Sequence, residues 1–175
     1  MFSLWAKRWC PWDGAAAWPD RITRCDAIEP IGRAARSSKI TETDQVKTLT
    51  YDFWLGQDCE ERKINSPTLE EVLNNIRQLD ADIKTILSLA NSISETVLTI
   101  GGGNGKYIVF MADKWGNLFD LVDQAAEDGI EMINAGGQIG DYSKKQIISL
   151  DMTIRAASFY FLKDGMDQSL AWKSS

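Results

Sequence analysis

The run Val-Lys-Thr-Leu-Thr-Tyr-Asp-Phe-Trp-Leu over residues 46–55 is rich in β-branched and aromatic residues, and its alternation puts Leu49, Tyr51 and Phe53 on one face of a first strand. The period then changes. Thr68-Leu69-Glu70-Glu71 has the form of a capping box, in which a Thr hydroxyl and a Glu carboxylate satisfy the free backbone donors at a helix start. Leu69, Val72, Leu73, Ile76 and Leu79 follow at helical spacing and predict a helix with one apolar side. Residues 83–90, 96–100 and 106–111 read as three strands with tight connections, the last two joined across Gly101-Gly102-Gly103-Asn104-Gly105.

Residues 117–128 fit a short helix with Leu118, Leu121, Val122 and Ala125 inward and Gly129 as its stop. Strands are expected at 130–135 and 146–149. A second long helix is expected at 150–163, stopped by Gly165, and a closing strand at 169–173. These elements predict an α+β fold: an antiparallel sheet, arranged as a meander, with two main helices packed on it.

Composition divides the chain. Residues 1–40 hold four of the seven tryptophans (Trp5, Trp9, Trp12 and Trp18) with Pro11, Pro19 and Pro30, and show no helical or alternating period. They are expected to form a poorly ordered basic tail beside a single domain over 41–175, with a start site placed too far upstream as the alternative. The tail carries seven Lys or Arg against four Asp or Glu, net +3, whereas 41–175 carries twelve against twenty-one, net −9. An acidic domain disfavours nonspecific contact with nucleic acid or anionic lipid and favours fast association with a basic partner.

No apolar run approaches the ~20 residues of a spanning helix, and the first residues lack the apolar core of a signal peptide. A cytoplasmic location without membrane contact is therefore expected. Cys10, Cys25 and Cys59 are widely spaced and odd in number, which suggests neither a disulfide framework nor a zinc site.

Catalytic chemistry has little to start from. The chain has no His, the commonest general base and metal ligand. The acid pairs Glu60/Glu61, Glu70/Glu71 and Glu127/Asp128 are of the kind that helix surfaces normally solvate. Cys59 sits among Asp58, Glu60 and Glu61, whose charge disfavours a reactive thiolate. The glycine cluster before Lys106 lacks a Walker loop's other residues, since Ile100 and Tyr107 occupy the decisive positions, and two strands flank it instead of a strand and a helix. Neither a catalytic residue, a cofactor nor a metal is expected.

Binding has a better candidate. Between Asp113 and Asp141 seven acids (Asp113, Asp120, Asp123, Glu127, Asp128, Glu131 and Asp141) face one basic residue, Lys114, with Trp115 and Tyr142 within or beside them. Aromatics supply much of the central energy of interfaces, and charge raises the on-rate. The proposed contact residues are Asp113, Trp115, Asp123, Glu127, Asp128, Asp141 and Tyr142. The same pattern also fits a core Trp115 among ordinary surface acids. A competing reading is a small enzyme or ligand-binding domain whose pocket lies at the glycine-rich hairpin, lined by Tyr107 and Trp115.

The order of landmarks over roughly the last 110 residues resembles immunity family one, bacterial antidotes encoded beside polymorphic toxins. The resemblance runs through the capping-box helix, the glycine-rich strand-turn-strand near 98–109 and the Gly136-Gly137-Gln138 turn. It continues through Ser149-Leu150-Asp151, Ala156-Ala157, Phe161, Gly165 and Trp172. It implies architectural roles: Gly136 and Gly137 for a turn, Ala156 and Ala157 for close helix packing, Phe161 and Trp172 for the core, Gly165 for the helix stop. It also implies an antidote that binds a cognate toxin domain and blocks its active site or substrate groove, with nucleic-acid-modifying toxins such as deaminases or nucleases among the associated kinds. An acidic inhibitor suits a groove made basic to handle a polyanion.

Overall fold

The computed structural model describes residues 47–175, and the Trp-rich tail expected over 1–40 lies outside the described residues. Strand β1 (Lys47–Leu55) turns at Gly56 into β2 (Asp58–Asn65), pairing Leu49 with Ile64 and Trp54 with Cys59. Helix α1 (Leu69–Arg77) follows, then β3 (Ile86–Asn91), β4 (Thr96–Gly103), β5 (Lys106–Ala112) and β6 (Leu118–Leu121). Next come a hairpin of β7 (Ile130–Ala135) and β8 (Gln138–Ser143), a 3-10 turn at Lys144–Gln146, helix α2 (Leu150–Lys163) and β9 (Trp172–Ser174). The main sheet has the order β2-β1-β3-β4-β5-β6-β9 with every pair antiparallel, and β7-β8 forms a separate two-stranded ribbon. The fold is α+β, a seven-stranded antiparallel sheet plus a hairpin, with both helices in contact with the sheet.

Alternation decides which sheet face meets the helices. Leu49, Leu87, Leu89, Leu98, Ile100, Val109, Met111 and Leu121 point to one side and are buried with Val72 and Ile76 of α1 and Ala156, Ala157 and Tyr160 of α2. Each such large side chain contributes roughly 1.5–3 kcal/mol by leaving water. Small residues at 156 and 157 bring the α2 backbone close, while Phe161 and Trp172 are half-buried against the edge of this core. Tyr160, fully buried, donates its hydroxyl to the Thr96 carbonyl at 2.8 Å and so fixes α2 to the start of β4.

The capping box of α1 is formed in both directions: Glu71 N–H donates to the Thr68 hydroxyl at 3.2 Å, and Thr68 N–H donates to the Glu71 carboxylate at 2.7 Å. Thr68→Ala is expected to lower stability by about 1 kcal/mol, read as a shift in the urea midpoint at unchanged slope. No change would mean that packing alone sets the start of α1.

At the other end of α1, Lys84 is 5% exposed, donates to Asn75 Oδ1 and to Gln78 Oε1 (3.2 Å), and lies 3.8 Å above the Tyr51 ring. Burial, against the pull of the Asp52 carboxylate, pushes its ammonium down from 10.5 to about 8. The unfolded chain therefore holds this proton to higher pH than the folded chain, and the contribution of Lys84 to stability rises as pH goes from about 8 toward 10.5. The difference in melting temperature between wild type and Lys84→Met is expected to move in the wild type's favour from pH 7.5 to pH 10, as followed by circular dichroism. A pH-independent difference would exclude a desolvated ammonium here.

Three sequence-based expectations need correction. Residues 117–128 do not form a helix: Leu118–Leu121 is strand β6, hydrogen-bonded between β5 and β9, because sheet pairing offers those backbone groups partners that a short isolated helix would lack. The strand expected at 146–149 is replaced by the 3-10 turn and a single bridge from Ile148 to Tyr107. The partner of β7 begins instead directly after the turn, at Gln138. The stop of α2 is Asp164 in the left-handed conformation (φ 57), one residue before Gly165, which does not share that conformation. Strand β2 went unrecognised altogether.

Candidate partner-binding site

The ribbon β7-β8 lies on the sheet face that carries no helix. Ala135, fully buried, packs where β4 presents Gly101: a Cβ there would stand 2.6 Å from Ala135 Cβ and 3.2 Å from Ile108 Cγ1, so a side chain at 101 would lift the ribbon. Its two-residue turn, Gly136-Gly137, has φ of 65 and 70, the geometry that matches the strand twist of a tight hairpin. Gly137 carries a second requirement, since a Cβ at that position would stand 2.0 Å from Trp54 Cζ2. The turn is also pinned from below, where Gly137 N–H donates to the Thr85 hydroxyl at 2.9 Å.

Because one side of the ribbon faces the sheet, the other faces solvent. Ile133, Ala135 and Gly140 point inward and are buried, whereas Ile130, Met132 and Ile139 are 72%, 70% and 67% exposed on the outer side. Asp141 is opposite Met132, and Asn134 opposite Ile139, on that outer side. Exposed Glu127 and Asp128 lie just before the ribbon. These exposed apolar side chains with an acidic margin make the outer side of the ribbon the candidate surface for a partner.

The seven sequence-predicted contact residues fall into two groups. Asp123, Glu127, Asp128, Asp141 and Tyr142 gather about the base and length of the ribbon. Asp123 N–H donates to the Lys145 carbonyl at 2.7 Å, and Lys145 Nζ lies 2.6 Å from the Asp128 carboxylate, tying the loop before β7 to the turn after β8. The hydrogen bond and charge of Lys145 hold the Asp128 carboxyl below the ordinary range. Tyr142 points inward and is half-buried, and burial, then the charge of Asp120, pushes its phenol up to about 12, so it stays a neutral hydrogen-bonding group.

Asp113 and Trp115 belong elsewhere, to the β5-β6 turn. Asp113 accepts from Trp115 N–H (2.9 Å), Asn117 N–H (2.9 Å) and Asn117 Nδ2 (2.8 Å), so its carboxylate is used in building the turn. Burial opposes its charge, but these hydrogen bonds outweigh it and hold the carboxyl below the ordinary range. Trp115 is 76% exposed with Lys114 Nζ 4.5 Å from its ring, which rules out the core position. Tyr107 is 3% exposed in the core, so it and Trp115 do not line a common pocket at the glycine-rich hairpin.

Two open hollows flank Asn134. One, of about 280 Å³, lies by the β4-β5 turn and is lined by Gly103, Asn104, Lys106, Glu131 and Met132, with Lys106 paired to Glu131. The other, of about 360 Å³, lies between the β1-β2 and β7-β8 turns and is lined by Trp54, Gly56, Gln57, Asp82, Asn134 and Gly137. Among the described residues no group of three His, Cys, Asp or Glu is placed to hold a metal ion, and no helix is long and apolar enough to cross a membrane.

No protein-family model matches the chain, and no curated protein matches it. A crystal structure of a hypothetical protein from Neisseria gonorrhoeae is similar to it, with a TM-score of 0.47 and 14% identity over 73% of this chain and 95% of that one.

Proposed function

We propose that the chain is an immunity protein that binds a cognate bacterial toxin domain and blocks its active site or substrate groove, performing no reaction itself. The observation that carries the reading is the outer face of the β7-β8 ribbon, where Ile130, Met132 and Ile139 are exposed beside Asp141 and follow Glu127 and Asp128. Apolar side chains at that exposure gain roughly 25 cal/mol per Å² when a partner covers them, while the acids steer a basic surface toward them. The net −9 of residues 41–175 supports the same partner chemistry, a groove made positive to handle nucleic acid. The resemblance to immunity family one supplies the biological setting, a bacterial cytoplasm that must be protected from its own toxin.

The test is co-expression with the toxic domain from the neighbouring reading frame. The intact chain is expected to restore growth, and charge reversal at Glu127 and Asp128 is expected to lower the association rate about tenfold with a smaller change in dissociation, as measured by surface plasmon resonance at low salt. Unchanged toxicity in the presence of folded wild-type chain removes the proposal.

A further inference from the structure

We propose that the hollow between the β1-β2 and β7-β8 turns is an arginine-receiving pocket, in which a guanidinium of the partner lies against Trp54 and pairs with Asp82. The inference rests on the partner-binding reading and names the side chain which that partner would insert.

Three features of the hollow point to a planar cation. First, its one aromatic wall is held in place before any ligand arrives: Trp54 Nε1 donates to Asp52 at 2.6 Å, Trp54 N–H donates to the Ile83 carbonyl at 2.8 Å, and its ring rests on Gly137. A ring fixed in this way offers its π surface at little ordering cost. Second, the charge in the hollow is unopposed. Asp82 is exposed, its carboxylate makes no ion pair or hydrogen bond among the described residues, and no Lys or Arg lines the cavity. Most other acids of this region are already engaged: Asp80 with three backbone N–H groups, Asp52 with Trp54 and Thr85, Glu131 with Lys106.

Third, the remaining lining can accept hydrogen bonds. Gln57 lines the hollow and its amide oxygen is an acceptor, while Asn134 is held by donating Nδ2 to the Ala81 carbonyl at 2.8 Å, with its Oδ1 buried and without a donor. Five N–H donors in a rigid fork suit a carboxylate, amide oxygens and an aromatic face better than the point charge of an ammonium does. Leu55, Ile83 and Ile139, each next to or paired with a lining residue, are 58%, 44% and 67% exposed and would seal the rim against water once covered. The neighbouring hollow is a poorer candidate because Lys106 lies in it.

The test needs no toxin. The full chain, labelled with ¹⁵N, is titrated with N-acetyl-arginine amide, N-acetyl-lysine amide and N-acetyl-citrulline amide, while the Trp54 indole and Gly137 amide resonances are followed. Saturable shifts of both with the arginine compound are expected, about tenfold weaker with lysine and absent with citrulline, which has the same shape without the charge. Asp82→Asn should abolish the arginine shifts while leaving the rest of the spectrum unchanged. Equal response to citrulline, or no response of Trp54 and Gly137, overturns the pocket. If the wild-type chain protects cells and Asp82→Asn protects equally, with no shifts, the pocket fails and the immunity reading stands. If the shifts appear but the chain protects against no neighbouring toxin, the pocket stands and the immunity reading fails.

Discussion

Asp52→Ala is expected to cost about 3–5 kcal/mol of folding stability, because a buried carboxylate would be removed from donors that have nowhere else to go. Asp52 is 8% exposed and accepts from Thr85 N–H at 2.8 Å, Ile86 N–H at 2.9 Å, Trp54 Nε1 at 2.6 Å and the Thr85 hydroxyl. Its position explains the need. The register of β1 with β3 ends at Tyr51 and Leu87, and just beyond that point one carboxylate oxygen, Oδ1, accepts from the N–H groups of both Thr85 and Ile86, while Oδ2 accepts from Trp54 Nε1 and the Thr85 hydroxyl. A side chain thus continues the ladder where the backbones part. The Thr85 hydroxyl, oriented by donating to Asp52, is left to accept from Gly137 N–H, so the same carboxylate indirectly anchors the ribbon turn.

Asp52→Asn separates these roles. It keeps the volume but turns an NH₂ toward at least one donor, and a loss of about 2 kcal/mol is expected. Urea unfolding gives the global figure, and amide exchange at Gly137 gives the local one, which should accelerate more than exchange in the strands of the core. A loss under about 1 kcal/mol for Asp52→Ala would show that water replaces the carboxylate and that the network is not buried in solution.

How much of this was readable beforehand follows from how each segment is held. Strands β1 and β3 were legible because one face is more apolar than the other, so Leu49, Leu87 and Leu89 recur at period two, whereas β5 was legible as a short apolar run, Tyr107 to Met111, bounded by the glycine-rich turn. Strand β2 carries no such signal. Asp58–Asn65 is exposed on both faces apart from half-buried Ile64, and its strand state comes from backbone pairing with β1, which leaves no mark on side-chain pattern. Its acids and bases suit an edge that must not pair further. Strand β6 was mistaken because Leu118, Leu121, Val122 and Ala125 satisfy helical spacing as well as Phe119 and Leu121 satisfy a strand, and only the flanking strands decide between them. The capping box was local chemistry and could be read directly.

The candidate site divides along the same line. Its acidity was visible in composition, but composition cannot tell that Asp113 is consumed by a turn or that Trp115 stands with it, away from the ribbon. Ile130, Met132 and Ile139 were missed for a different reason. Strand β7 is apolar on both faces, Ile130 and Met132 against Ile133 and Ala135, so the pattern announces a doubly covered strand, whereas the fold covers only one side. The excess of apolar positions over what the sheet can bury was the available signal.

That excess makes the strongest functional prediction. Met132→Lys combined with Ile139→Lys is expected to weaken binding to the proposed partner, a toxin domain, by at least about 100-fold, with the melting temperature within about two degrees of wild type since both side chains are exposed. Met132→Glu with Ile139→Glu removes the same apolar area but keeps the sign that attracts a basic surface. If the apolar strip anchors the complex and the acids only steer it, the Glu pair should raise the dissociation rate while leaving the association rate near wild type, whereas the Lys pair should damage both. The two variants therefore measure anchoring and steering separately, through rates taken on one instrument at two salt concentrations. Equal and small effects of both would mean that the toxin approaches another face, and the β5-β6 turn with Trp115 would then be the next surface to substitute.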